Sequence, residues 1–247
     1  MVIAGIAGVL LVFPRGGKAQ EKLLPGGSFL MGNEKGAADE QPVHNVALSP
    51  FSIHTREVTE AAYDSCVRSG GCTEAHYRDG ICRAWNGKRF VPVRIPPSAR
   101  SGDFPVVCVT WQQARQYCRA KGMDLPTEAQ WEYAARAENT ASGSAGVAGG
   151  AVFERKTPMP VGSGTPNGWG LYDMLGNAWE WVNDFYDPEA YGYSPEADPR
   201  GPDAGFYRVI RGGGWYSTGG GQTVYDRQWY SPGYAEVSIG FRCVRRR

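Results

Sequence analysis

Apolar and polar residues alternate over several short segments near both ends of the chain. Residues 24–60 contain LPGGSFLMG, with alternating apolar positions after a Pro-Gly turn, and two further apolar runs separated by Ser49 and Pro50. Alternation with a period of two is typical of half-buried strands, and Pro or Gly at the breaks marks turns. The pattern therefore predicts strands and turns over 24–60, and further strands over Tyr207–Arg211 and Ser238–Val244.

Helical signals occur in three other segments. The predicted helices cover Glu57–Arg68, Trp111–Lys121 and Glu128–Ala137. A capping box, in which Ser or Thr precedes Glu or Gln by three residues, opens the second helix at Thr110 and Gln113. The same pattern opens the third helix at Thr127 and Gln130. Because the chain shows no internal repeat and no linker between two cores, we predict one mixed α+β domain with short elements.

Composition narrows the class of protein. The 34 glycines, 17 prolines and 8 tryptophans indicate many turns held by aromatic packing, which differs from a disordered chain or a helical bundle. The formal charge is +1, from 26 basic and 25 acidic residues. Without a strong basic field, the sequence gives no reason to expect nucleic acid or an anionic membrane as a partner.

The N-terminus resembles an export signal. Val2–Phe13 is apolar, too short to span a bilayer and about the length of a signal-peptide core. The basic residues that normally precede such a core are missing, which fits a truncated start. A buried N-terminal strand is the alternative. We therefore predict a signal-peptide-like segment at 1–20, a folded domain at 21–247, and no membrane span.

Cysteine usage agrees with export. The six cysteines are Cys66, Cys72, Cys82, Cys108, Cys118 and Cys243. An even number of cysteines in a chain with export features favours disulfides, and the lack of any C-x-x-C pair argues against structural zinc. We predict an oxidising, extracytoplasmic location, either periplasmic or secreted.

Six segments closely resemble the motifs of the formylglycine-generating enzyme family, also called sulfatase-modifying factors. They are PGGSFLMG (Pro25–Gly32), FSIHTREVTEAAY (Phe51–Tyr63), the run Phe104–Arg136, NGWGLYDMLGNAWEW (Asn167–Trp181), RVIRGGGW (Arg208–Trp215) and IGFRC (Ile239–Cys243). Several long motifs in the right order make the resemblance specific over nearly the whole of 21–247. It implies the family's C-type-lectin-like α+β domain, with little regular secondary structure and with disulfides and calcium bracing it.

The resemblance also implies one disulfide. Cys118 and Cys243 match a pair that is bridged in the family. The four other cysteines then allow three connectivities. Proximity in sequence favours Cys66–Cys72 and Cys82–Cys108, and the other two remain open.

A calcium site is implied at the aromatic loop. Calcium takes six to eight oxygen ligands, mixing carboxylates with backbone carbonyls. The matching family positions supply side-chain oxygens from Asp173 and Glu180 and carbonyl oxygens from Gly176 and Ala178. The alternative is that both acids are ordinary partners of nearby arginines or backbone amides.

The family's copper site is the decisive test of its chemistry. Formylglycine-generating enzymes bind Cu(I) through two thiolates that follow RGGS, because soft Cu(I) prefers soft sulfur. Counting forward from Arg211 places Ser217 and Gln222 at those positions. Counting back from Arg242 places glycines there, and Gly214 replaces the serine of the motif. Oxygen donors cannot replace the thiolates, so we expect no copper and no formylglycine-generating activity.

The same C-terminal segment is the candidate binding surface. Aromatic rings and arginine dominate binding hot spots, and they crowd the place where the family's substrate groove lies. The predicted surface comprises Tyr216, Ser217, Gln222, Tyr225, Arg227, Trp229 and Tyr230. Its ligand would be a peptide, a protein or a small molecule. Packing of these rings into the core is the alternative.

Two functions follow. In the first, the chain is a calcium-stabilised module that binds a peptide or other ligand, or acts as a scaffold, outside the cytoplasm. In the second, it is a cysteine-independent oxidoreductase that acts on a periplasmic peptide, like the family member of pyoverdine maturation. The missing copper ligands favour the first.

Overall fold

The structure is a computed structural model that describes residues 20–137, 153–217 and 223–246. The predicted leader therefore lies almost wholly outside the described residues. The helices are α1 (Glu60–Arg68), α2 (Trp111–Ala120) and α3 (Glu128–Arg136). The strands are β1 (Glu21–Leu24), β2 (Gly27–Met31), β3 (His44–Leu48), β4 (Phe51–His54), β5 (Arg83–Trp85), β6 (Phe90–Pro92), β7 (Trp179–Phe185), β8 (Arg208–Arg211), β9 (Arg227–Tyr230), β10 (Ile239–Gly240) and β11 (Val244–Arg246).

The strands form several small sheets. One has the order β1-β4-β11, a second has the order β10-β7-β8-β9, and β2-β3 and β5-β6 are separate two-stranded sheets. All pairs are antiparallel except β7 with β10. The sheet that contains β7 carries much of the candidate site, with β9 at its edge.

The helix starts follow the local sequence. Both predicted capping boxes are present, with Thr110 and Thr127 each accepting a hydrogen bond from the backbone of the glutamine three residues later. The first helix begins at Glu60 rather than at Glu57, because Thr59 is its N-cap and accepts from the backbone of Ala62. Glu57 is thereby left free to make contacts elsewhere.

The prediction of one strand over Ser238–Val244 is wrong. The structure has two short strands there, β10 paired with β7 and β11 paired with β4. Between them the chain crosses from one sheet to another, held by the Arg242 contact with Glu180 and by the disulfide of Cys243. A continuous strand could not belong to both sheets.

Two groups of buried apolar side chains lie on either side of β7. Trp181 belongs to a group that includes Tyr63, Tyr117 and Phe241, whereas its neighbour Val182 belongs to a group around α3. Successive side chains of a strand point to opposite faces, so β7 contributes to both.

The favoured disulfide pairing is the one present. Cys66 is bonded to Cys72, Cys82 to Cys108 and Cys118 to Cys243. The last bridge joins residues 125 apart. In the chain-entropy account, closing so long a loop stabilises the fold by about 5 kcal/mol, against about 2 kcal/mol for a loop as short as that of the first bridge.

Candidate functional site

The aromatic loop before β7 is sharply bent. Asp173 and Asn177 adopt positive φ values of 53° and 60°, and Gly176 has φ 86°. Non-glycine residues rarely adopt this conformation, and Asn and Asp tolerate it best. The bends bring Asp173 and Glu180 into the interior, where both side chains are buried.

Glu180 is paired with an arginine, the alternative that the sequence left open. Arg242 donates to it through Nη2 at 2.6 Å and through Nε at 2.7 Å, and both side chains are fully buried. The indole Nε1 of Trp131 donates to Oε2 at 2.9 Å. Both carboxylate oxygens are thus already engaged.

Asp173 is only half satisfied. Its Oδ2 accepts from the backbone N–H of Gly162 at 2.5 Å, whereas its buried Oδ1 has no hydrogen-bond partner. Burial raises the pKa of the Asp173 carboxyl above its usual value. A buried, unpartnered carboxylate oxygen is costly unless a cation or donor reaches it.

Glu57 joins this loop, although the sequence did not point to it. Its Oε1 accepts from the backbone N–H of Ala178 at 2.9 Å, and its Oε2 accepts from Nδ2 of Asn177 at 2.8 Å. Burial raises the pKa of Glu57 well above its usual value, and the charges of Asp173 and Glu180 raise it further. We name Glu57, Asp173 and Glu180 the loop acids.

The loop acids partly fit a calcium ion. Of the three carboxylates only Glu180 forms an ion pair within the described residues, with Arg242, and the free Oδ1 of Asp173 is the type of hard oxygen that calcium prefers. Glu180 is a poor ligand here because Arg242 and Trp131 occupy its oxygens. Within the part of the chain that the structure describes, no three His, Cys, Asp or Glu side chains converge as metal ligands. Backbone carbonyls, such as those predicted at Gly176 and Ala178, would have to complete the set.

The copper positions hold no sulfur. Ser217 Oγ accepts a hydrogen bond from the backbone N–H of Gly214 at 3.1 Å, so it closes the local turn. Gln222 lies outside the described residues. All six cysteines of the chain are in disulfides, and none is free.

The predicted binding surface needs correction, because two of its members are buried. Tyr225 is 3% exposed and packs in the core, and Arg227 is 4% exposed and donates to Glu128 at 2.7 Å. Trp229, 39% exposed, packs against Tyr186 with ring centres 5.2 Å apart. These side chains therefore do not form one continuous face.

The alternation of β9 explains the division. Arg227 and Trp229 share one face of the strand, and Tyr230 points to the other. There Tyr230 stacks on Tyr234, with ring centres 4.2 Å apart and planes 8° apart. Tyr216 and Tyr230 are half-buried, as is Ser217.

A buried carboxylate lies beside these tyrosines, and no pattern in the sequence pointed to it. Glu236 accepts hydrogen bonds from the hydroxyl of Tyr216, from that of Tyr234 at 3.3 Å and from Ser238 Oγ at 2.7 Å. Burial raises the pKa of the Glu236 carboxyl. Burial and the Glu236 charge together raise the pKa of Tyr230 to about 12. We name Glu236, Tyr216, Tyr230 and Tyr234 the tyrosine cluster.

Comparison with known proteins decides the family. The sulfatase-modifying factor enzyme 1-like domain matches residues 11–247, which begins before the predicted boundary at residue 21. The chain belongs to this family. The predicted α+β sulfatase-modifying-factor fold, with its disulfides, is thereby confirmed.

Individual relatives differ in what their names state. The chain is 34% identical to a formylglycine-generating enzyme of Streptomyces coelicolor, over 94% of this chain and 90% of that protein. It is 29% identical to the inactive C-alpha-formylglycine-generating enzyme 2 of Bos taurus, over 98% of this chain and 93% of that protein. The structure of PvdO from Pseudomonas aeruginosa is similar with a TM-score of 0.76 and 26% identity, covering 92% of this chain and 94% of that one.

The helices also bear on membrane association. Across residues 20–137, 153–217 and 223–246, no helix combines the length and apolar character needed to cross a bilayer.

Proposed function

We propose that this sulfatase-modifying-factor protein is an extracytoplasmic, calcium-stabilised module that binds a peptide, protein or small ligand, and that it does not generate formylglycine. One observation carries the proposal: every cysteine of the chain is committed to a disulfide, so no thiolate pair is available to Cu(I). Family membership alone does not assign the reaction, because an active and an inactive relative are similarly close.

Calcium would act as a brace. The free Oδ1 of Asp173 and the negative charge of the loop acids support a cation there, with Asp173 as the side-chain ligand and backbone carbonyls such as those of Gly176 and Ala178 beside it. Such an ion would hold a bent loop that carries little regular secondary structure, and it would neutralise buried charge. It would supply no redox chemistry.

The three disulfides support an oxidising location, because such bonds are rare in reducing compartments. The tyrosine cluster supports binding, since half-buried tyrosines present rigid area with polar tips next to a carboxylate. We place the proposed ligand-binding groove at the surface that this cluster lines.

The test is an aerobic assay with a CxPxR peptide and added Cu(I). The formylglycine-generating enzyme of Streptomyces coelicolor serves as the positive control under the same conditions. We expect this protein to leave the peptide cysteine intact, as judged by mass spectrometry and an aldehyde-reactive probe. Catalytic conversion of the cysteine to an aldehyde would overturn the proposal.

A cysteine-independent oxidoreductase is the second candidate, and the similarity to PvdO over nearly the whole of both chains favours it. Metal analysis of the purified protein separates the two candidates. Stoichiometric copper or iron would support the oxidoreductase, and calcium without a redox metal would support the binding module.

A further inference from the structure

We propose that Glu236 and the tyrosine rings around it bind an alkylammonium group, such as the side chain of a lysine in a peptide ligand. The inference rests on the proposed function and names the chemistry that its groove would recognise.

Most other buried glutamates of the fold have an arginine. Glu128 lies 2.7 Å from Arg227, Glu132 lies 2.6 Å from Arg211, and Glu180 lies 2.6 Å from Arg242. Glu236 is 1% exposed and, among the described residues, has no salt bridge. Buried charges in proteins are normally paired or bound to a cation.

Among the residues that the structure describes, no Lys or Arg forms a salt bridge with Glu236. Arg83 borders Glu236 in the backbone, since its N–H donates to the carbonyl of Ala235 and its carbonyl accepts from Val237, each at 3.0 Å, and its charge acts on Tyr234. Its side chain is nevertheless exposed and forms no salt bridge with Glu236. Residues 138–152 and 218–222 contain no Lys or Arg.

The hydrogen bonds leave the carboxylate one acceptor position. A carboxylate offers about four lone-pair sites. Tyr216, Tyr234 and Ser238 donate to three of them. Donors of this kind favour the ionised form of Glu236 without supplying a positive charge.

The rings suit an ammonium better than a metal ion. Tyr230 and Tyr234 are stacked, and Trp215 meets Tyr216 edge-on with ring centres 5.1 Å apart. These four rings are only partly buried, so solvent reaches the cluster. Aromatic faces beside a carboxylate attract alkylammonium groups through cation–π contacts, whereas a hard divalent ion needs six or more oxygens.

The experiment compares two matched probes on the full chain by calorimetry. Nα-acetyl-lysine amide carries the ammonium, and Nα-acetyl-norleucine amide has the same aliphatic stem without it. We expect the lysine probe to bind at least tenfold more tightly. Equal binding of both probes, or no binding of either, would overturn the proposal without the need for any variant.

Two variants then locate the site. Glu236→Gln keeps the shape of the side chain and removes its charge, and it should weaken the lysine probe at least tenfold. Tyr230→Ala should also weaken it, while Trp229→Ala, the adjacent residue on the opposite face of β9, should not. Unchanged binding to Glu236→Gln would contradict the proposal. Methylamine is then tested as a competitor of the lysine probe. Weaker binding of methylamine would indicate that the site contacts the lysine stem and peptide as well as the ammonium group.

Failure here is distinguishable from failure of the proposed function. A lysine probe that does not bind leaves the copper assay and the calcium measurement unaffected. Aldehyde formation on a CxPxR peptide would instead overturn the proposed function whatever the lysine probe does.

Discussion

Buried acids are handled differently in two regions of this molecule. Around α3, Glu128 and Glu132 are matched by Arg136, Arg211 and Arg227 in one network. In the second region, which comprises the loop acids and the tyrosine cluster, the described residues form a single ion pair with a buried acid, that of Glu180 with Arg242, while Arg56 acts on Asp173 through its charge alone. The three arginines outnumber the two acids, so the first region has no surplus of negative charge. The second region has more buried carboxylates than arginines paired with them. This excess of negative charge is the physical reason to expect cationic ligands there.

This contrast separates buried acids that stabilise the fold from buried acids that are candidates for binding. A buried ion pair that is fully hydrogen-bonded is explained by the fold, because its partners stabilise each other. A buried carboxylate without a cation costs free energy, and a protein keeps such a group where something else is bound. By this criterion Glu128 and Glu132 are structural, and Asp173 and Glu236 are candidates for ligand contacts.

The largest expected effect on stability is in the region around α3, where the buried acids are paired with arginines. Arg211→Met would leave Glu128 and Glu132 each short of a partner, because Arg211 donates to both at 3.0 and 2.6 Å. Breaking a buried network in this way should lower the free energy of unfolding by about 3–5 kcal/mol, measured with urea. Arg119→Met is the control, since Arg119 is 59% exposed and lies 3.6 Å from Asp124. It should cost less than about 1 kcal/mol. If Arg211→Met and Arg119→Met lowered the free energy of unfolding equally, the predicted contrast between buried and exposed ion pairs would be wrong.

A buried base beside Arg242, which donates to the backbone carbonyl of His54, gives a pH test. Burial lowers the pKa of His54 to about 4, while the unfolded chain protonates near pH 6.5. Between these values the unfolded state binds more protons, so the His54 contribution to stability is complete above pH 6.5 and is lost as the pH falls toward 4. The loss amounts to about 3 kcal/mol. Glu21, Arg242 and Arg245 are the charges that act on His54.

The matched variant for this test is His54→Gln. Asp and Glu carboxylates titrate over the same pH range in the wild type and in the variant. The difference between the two free energies of unfolding therefore isolates the contribution of His54. That difference should shrink or reverse as the pH is lowered from 6.5 to 4. A difference that stays constant over this range would contradict the low pKa.

A smaller effect on stability, of opposite sign, is expected at Glu236 in the tyrosine cluster. Without ligand, Glu236→Gln removes a buried charge that has no salt bridge among the described residues, and it should leave stability unchanged or raise it by about 1 kcal/mol. Glu132→Gln makes the same chemical change where the carboxylate accepts from Arg136 at 2.7 Å and from Arg211 at 2.6 Å. It should destabilise the protein by about 3 kcal/mol. Similar losses in both variants would show that Glu236 is as well compensated as Glu132.

How far the sequence predicted this structure depends on the range of each interaction. The capping boxes at Thr110 and Thr127 and the disulfide of Cys66 with Cys72 depend on residues close in sequence, so their patterns were readable. The third disulfide was found only because a family motif carried each cysteine.

The missed features depend on contacts that are distant in sequence. Glu57 meets Asn177 across 120 residues, and no local pattern marks that meeting. The predicted surface failed at Tyr225 and Arg227 because composition indicates rings and cations but not which face of β9 they occupy. Glu236 is an exception, because Tyr234 and Ser238 are only two residues away, and no sequence pattern marked the turn that brings their hydroxyls and that of Tyr216 onto one carboxylate.

The loop acids allow the most direct test of the account, which is a calcium titration of stability. Protein treated with a chelator is unfolded by heat with added calcium, magnesium or Cu(I), alongside Asp173→Asn. We expect calcium at a hundred times its dissociation constant to stabilise the wild type by about 2.7 kcal/mol, with no response in the variant. Magnesium should be weaker, because it demands a smaller and more regular set of oxygens. A wild-type protein whose stability does not change with calcium, or that binds copper stoichiometrically instead, would contradict the proposed calcium site.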